Sequence, residues 1–86
     1  MEKLIKKYYV YAISSLTRNY IYVGLTNDLD RRINDHNLGY NKTTKPYSPF
    51  KTILTEEFST RQAARNREKI LKSGSGKEFL KSILAS

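Results

Sequence analysis

The sequence predicts a small α+β fold, a three-stranded antiparallel β-sheet flanked by helices in the order β-β-α-β-α-α. Two segments rich in Tyr, Val and Ile stand near the start, too close together for the crossover that a parallel pair needs. A third apolar segment lies alone mid-chain, and everything after it has helical spacing of its apolar residues. At 86 residues the chain is a single domain, 1–86, whose one core must serve every role.

The first two strands are residues 7 to 14 (KYYVYAIS) and 20 to 26 (YIYVGLT), joined through the polar turn at Ser15 to Asn19. Centring the turn on the Leu16–Thr17 bond opposes Tyr11 to Tyr22 and Tyr9 to Gly24. Strand alternation then places all four on one face, with Gly24 leaving space beside the phenols for a ligand. Asn27 or Asp28 caps a helix over about residues 28 to 38, where Leu29, Ile33 and His36 fall at helical spacing and Gly39 ends the run. A polar loop from Gly39 to Pro49 leads to the third strand at about 50 to 57. Ser59 and Gln62 have capping-box spacing for a helix whose inner stripe is Ala63, Ala64, Ile70 and Leu71 and which stops at Gly74. A last helix from about Ser75 buries Phe79, Leu80, Ile83 and Leu84.

Charge narrows the function. Sixteen Lys and Arg against eight Asp and Glu give a net charge of +8, which favours polyanionic partners, nucleic acid first. The excess is concentrated in residues 31 to 51 and 60 to 86, separated by Glu56 and Glu57. With no cysteine, disulfides, thiolate metal sites and a Cys nucleophile are excluded, in keeping with a reducing cytoplasm. Any metal must be held by oxygen or by His36, the one histidine. The longest apolar run near the start, Tyr8 to Ile13, is preceded by Lys6 and Lys7, so neither a signal peptide nor a membrane span is expected.

Taken alone, each candidate residue has a plain structural reading. Five of seven tyrosines lie in the hairpin, where tyrosine is an ordinary strand former. Arg32 and His36, four apart, share one side of the first helix at the margin of its apolar stripe. A guanidinium there suits a phosphate and an imidazole can exchange a proton, yet both residues also serve structure. Glu68 flanks the Ala64 and Leu71 stripe and reads equally well as a surface partner of Arg65 or Lys72.

Together they are more specific. Tyr9-Val10-Tyr11, then Tyr22-Val23-Gly24, Arg32 ten residues past Tyr22, His36 four further and a late helical Glu68 resemble the GIY-YIG nuclease superfamily. The resemblance covers about residues 8 to 80 and is greatest to small stand-alone members related to the N-terminal nuclease domain of the bacterial excision repair endonuclease. Tyr9 stands where the first tripeptide usually has Gly, and Leu25 where some repair-associated members carry lysine.

The resemblance implies a GIY-YIG endonuclease fold and hydrolysis of DNA phosphodiesters with Mg2+ or Mn2+. It implies that Tyr22 takes the proton of the attacking water and that Tyr11 positions water or phosphate, or shares that role. Arg32 would offset charge on the phosphoryl oxygens, Glu68 would be the one protein ligand of the metal, and His36 would serve proton transfer or phosphate contact. Lys42, Lys45, Arg61, Arg65, Lys69 and Lys72 are candidate DNA phosphate contacts, which carry no sequence information. No separate DNA-targeting domain is recognisable, so specificity is weak or supplied by a protein partner. The alternatives are a non-catalytic nucleic-acid-binding module and a repair adaptor that retain the fold.

Overall fold

In a computed structural model, which describes residues 6–86, the chain forms β1 (Tyr8–Ser15), β2 (Ile21–Thr26), α1 (Leu29–Asn37), β3 (Phe50–Phe58), α2 (Arg61–Lys72) and α3 (Gly74–Ala85), the predicted order. The sheet is antiparallel with strand order β2-β1-β3. As the central strand, β1 is covered on both faces, and every residue from Val10 to Ser15 is buried.

Strand alternation divides the interior in two. Val10, Ala12 and Val23 face α2 and α3 and pack with Ala64, Leu71 and Leu80. Tyr11 and Ile13 face the opposite way, pack with Phe50, and are covered by Leu29 and Ile33 of α1. A register shift between β1 and β3 at Ala12/Ile13 inserts Ile53 as an extra residue. This bulge lets Ile53 and Leu54, although consecutive, both pack against the α2–α3 side.

The hairpin register differs from the sequence expectation by two residues: Tyr11 opposes Gly24, Tyr22 opposes Ile13, and Tyr9 opposes Thr26. The cause is Ser15. Its hydroxyl accepts the backbone N–H groups of Thr17 (3.2 Å) and Arg18 (3.0 Å), moving the centre of the turn one residue on. An even shift preserves the faces, so the tyrosines remain on one side, but diagonal rather than directly opposed.

Asp28 caps α1 through the Arg31 N–H, and Gly39, with φ of +78°, lies just beyond its end in the left-handed conformation that glycine tolerates. At α2 the expected capping box is absent. Thr60 is the cap, accepting the Ala63 N–H at 3.2 Å, while the Gln62 amide donates to Asn66 four residues on. Nor does Gly74 end α2: it is the first residue of α3. Ser73, with extended backbone, separates the helices, donating to the Ile70 carbonyl and accepting the Gly76 N–H.

Of the expected apolar stripes, Ala64, Leu71 and Leu80 are buried and Ile83 is partly so. Ala63, Ile70, Phe79 and Leu84 are exposed. The Phe79 ring lies outside the core beneath the Arg67 guanidinium, 5.8 Å from its centroid. Leu80→Ala is therefore expected to destabilise the fold by about 3 kcal/mol, and Phe79→Ala by less than about 1 kcal/mol. Chemical denaturation of both variants measures the contrast, and equal losses would show that α3 is packed through a different face.

A candidate active site at the β2 edge

Gly24 is where the site begins. The Tyr11 ring lies directly across it, and a β-carbon on residue 24 would collide with the phenol carbons and oxygen. The space expected beside the phenols is thus filled by one of them. Tyr22, on the same face, stands beside Tyr11 with ring centroids 6.3 Å apart and planes at 44°.

From the other side α1 delivers His36, which is fully buried. Its Nε2 is 2.8 Å from the Tyr11 hydroxyl, its Nδ1 is 2.8 Å from the hydroxyl of Thr44, and its ring centroid is 4.9 Å from that of Tyr22. A neutral imidazole donates from one nitrogen and accepts at the other, so the tautomer of His36 fixes which way the Tyr11 and Thr44 protons point. Thr44 is fully buried in the loop before β3, and no sequence pattern distinguishes it from Thr43 beside it. What orients it is Asn41, whose side chain accepts both threonine N–H groups.

Two opposite charges act on this chain of groups. Burial pushes the Tyr11 phenol well above the ordinary tyrosine range; Tyr22 and Glu68 add to the rise and Arg32 opposes it. Tyr11 is a neutral phenol at physiological pH. Burial also pushes His36 below its ordinary value, with Arg32 adding to the effect and Asp35 opposing it. Arg32 itself is exposed on α1.

Glu68 approaches from α2. Its side chain is only 15% exposed, with Oε2 3.1 Å from Lys72 Nζ and Oε1 3.5 Å from Arg65 Nε. A recess of about 290 Å³ is lined by Leu25, Arg61, Arg65, Glu68, Lys69 and Lys72. Four of the six cations expected to meet phosphate therefore surround the carboxylate. Lys42 and Lys45 do not join them. They are exposed on the loop tied to α1 through Thr44, and the Lys45 stem packs beside Gly39. Among the described residues no three His, Asp or Glu side chains cluster as a metal cage, and no helix is long and apolar enough to cross a membrane.

Tyr20 and Tyr47 carry no distinguishing signal in the sequence. They stack at 3.8 Å with planes 9° apart, and the Arg18 guanidinium lies 5.7 Å from the Tyr47 ring centroid.

Because His36 is held neutral in the fold and has a pKa near 6.5 unfolded, the unfolded chain binds the extra proton. Its contribution to stability is therefore present above about pH 6.5 and is lost as pH falls towards the lower folded value, at up to about 1.4 kcal/mol per pH unit. His36 is the only histidine, so its ring proton resonances are unambiguous. Their titration midpoint should lie below about 6.5, and the acid sensitivity of melting between about pH 6.5 and 5 should disappear in His36→Asn. A midpoint at or above the ordinary value would mean that the ring is not buried between the two hydroxyls.

The chain is similar to known proteins. A family model described as the GIY-YIG catalytic domain matches residues 7–81. A UPF0213 protein of Haloquadratum walsbyi is 37% identical over 67 residues, covering 77% of this chain and 74% of that protein. A UPF0213 protein of Staphylococcus haemolyticus is 36% identical over 78 residues, covering 90% of this chain and 94% of that one. The solution NMR structure of the UPF0213 protein BH0048 from Bacillus halodurans is 34% identical, with a TM-score of 0.55 and coverage of 90% of this chain and 84% of that one. With the match running through both tyrosine motifs, α1, β3 and α2, the chain belongs to the GIY-YIG family.

Proposed function

We propose that this chain is a divalent-metal-dependent DNA endonuclease working at the exposed edge of β2. Membership of a nuclease family makes phosphodiester hydrolysis the expected reaction class. The observation that carries the proposal is the setting of Tyr11: its phenol touches His36, stands beside Tyr22, and lies within the fields of both Arg32 and Glu68.

In this reading Tyr22, which is partly exposed, acts in its phenolate form to accept the proton of the water that attacks phosphorus, and the bond to the departing alkoxide breaks as that oxygen takes a proton from solvent. Tyr11 is the less suitable base, because its environment favours the protonated phenol. It holds water or the scissile phosphate by hydrogen bonding instead. Buried His36 acts through Tyr11 and fixes its hydroxyl direction, and Arg32 balances charge on the phosphoryl oxygens. Glu68 would hold Mg2+ or Mn2+, since one carboxylate completed by water and phosphate oxygens suits a hard cation that dehydrates reluctantly. Such an ion, when bound, supplies Lewis-acid stabilisation of the phosphoryl oxygens and the leaving group.

For that role Glu68 must exchange at least one of its present partners. Lys72 and Arg65 would turn to DNA phosphates as the cation takes the carboxylate. Arg61, Lys69, Lys42 and Lys45 would add contacts without sequence preference. A role in DNA repair, a cytoplasmic location and targeting by a protein partner fit the same reading.

A second reading has one observation of its own. The Glu68 carboxylate is already balanced by two cations, an arrangement that a non-catalytic nucleic-acid-binding module or repair adaptor could keep for structure alone. Nicking of supercoiled and branched DNA in magnesium or manganese separates the two. Glu68→Ala and Tyr22→Phe are each expected to lower the rate at least about 100-fold while leaving salt-sensitive DNA binding largely intact. Binding without nicking by the wild-type protein would favour the module, and undiminished nicking by Glu68→Ala would remove the proposed metal ligand.

A further inference from the structure

Two recesses follow one another along the β2 edge. The first, beside Leu25, holds Glu68 with Arg61, Arg65, Lys69 and Lys72. The second, of about 440 Å³, lies beside Ile21 to Val23 and is bordered by Lys72, Lys77 and Lys81. Lys72 is common to both, so the cations form one row from the start of α2 into α3, and Glu68 is the only acidic residue lining either recess. Among the described residues Lys77 is in no ion pair, and Lys81 has a loose surface contact with Glu78 at 3.7 Å.

These properties specify what the second recess can hold. The Tyr20 and Tyr22 rings turn to the α1 side of the sheet, and Leu71 and Leu80 are buried beneath the floor, so nothing there stacks on a base. What it presents is ammonium groups. Lys77 and Lys81 are four residues apart on α3, which puts their β-carbons about 5–6 Å from each other on one side of the helix. Each is a compact point charge suited to phosphate. From Arg61 to Lys72, α2 covers about 16 Å of axis. That is the rise of about five nucleotides of one duplex strand at roughly 3.4 Å each. Lys77 and Lys81 carry the row further, so Glu68 stands within it and not at its end.

We infer that Lys77 and Lys81, with Lys72, form a second phosphate-binding arm, which holds the DNA backbone on the opposite side of Glu68 from Arg61 and Arg65, so that the strand continues past the carboxylate in both directions. The inference rests on the nuclease reading for the placing of DNA at Glu68, and it adds two contacts that no sequence motif singles out.

Binding to a hairpin duplex in EDTA, where metal-dependent cutting cannot occur, tests the arm apart from the chemistry. Fluorescence anisotropy over a range of salt concentrations gives both affinity and its logarithmic salt slope. Lys77→Gln/Lys81→Gln, at exposed positions, is expected to lose at least about tenfold in affinity and about 1.8 in slope, two phosphate contacts at roughly 0.9 each. Adding Arg61→Gln should take the loss of slope to about 2.7. Lys7→Gln/Lys51→Gln removes the same net charge beside β3, the far edge of the sheet, and should change the slope by less than about half as much.

A loss of slope no greater than that of the β3 variant would overturn the inference, because the two lysines would then act only through overall charge. So would nicking that requires a free DNA end, since a strand held on both sides needs none. The expected losses of slope without nicking in magnesium would defeat the nuclease reading and leave the arm as a DNA contact. Nicking of closed circular DNA by a Lys77→Gln/Lys81→Gln variant of wild-type affinity and slope would defeat the arm alone.

Discussion

The hydrogen-bonded series from Thr44 through His36 to Tyr11 is the constraint on which the site depends. It joins the loop before β3, the helix α1 and the central strand across a face from which water is excluded. In such surroundings an unmet polar group is costly, so each member holds the next in place. Remove the threonine hydroxyl and the imidazole loses what orients its Nδ1; remove the imidazole and the phenol over Gly24 loses its direction. Stability and the proposed chemistry are therefore not separable here, since the contact that ties α1 and the loop to β1 is also the one that aims the phenol proposed to hold water or phosphate.

Much of this is legible in the sequence. The three strands, their antiparallel arrangement and the helices on both faces follow from β-branched and aromatic runs and from a hairpin too short to cross over. The shared face of Tyr11, Tyr22 and Gly24 is also readable, because alternation survives an even error in register. The register itself is not, since it turns on a Ser15 hydroxyl competing for two backbone donors. Helix stripes mislead at their margins: Ile70 and Phe79 satisfy helical spacing, but α2 and α3 meet each other at a corner and leave those flanks in solvent. Thr44 is invisible for a further reason, as its role depends on a loop whose course is set by Asn41 and not by any periodic pattern.

Glu68 shows why a motif and a mechanism differ. The family resemblance makes it the proposed metal ligand, while its contacts describe a carboxylate already shared between Arg65 and Lys72. The two descriptions are compatible when the cations are seen as exchangeable. Such pairs at a partly open surface are held weakly, so a polyanion can draw the lysine and arginine away and present the freed carboxylate with a new cation. Substrate and metal would then assist one another's binding without any movement of the backbone.

The junction at Ser73 has a mechanical meaning. Because one residue both closes α2 and opens α3, no linker lies between Lys72 on the first helix and Lys77 on the second, and Leu71 and Leu80 anchor both to the same sheet face. The cationic edge is in effect a rigid caliper. Adaptation to its fixed spacing would have to come from any polymer laid along it: a supple strand would conform freely, whereas a stiff rod with a persistence length of about 150 base pairs would have to be bent or opened at a cost.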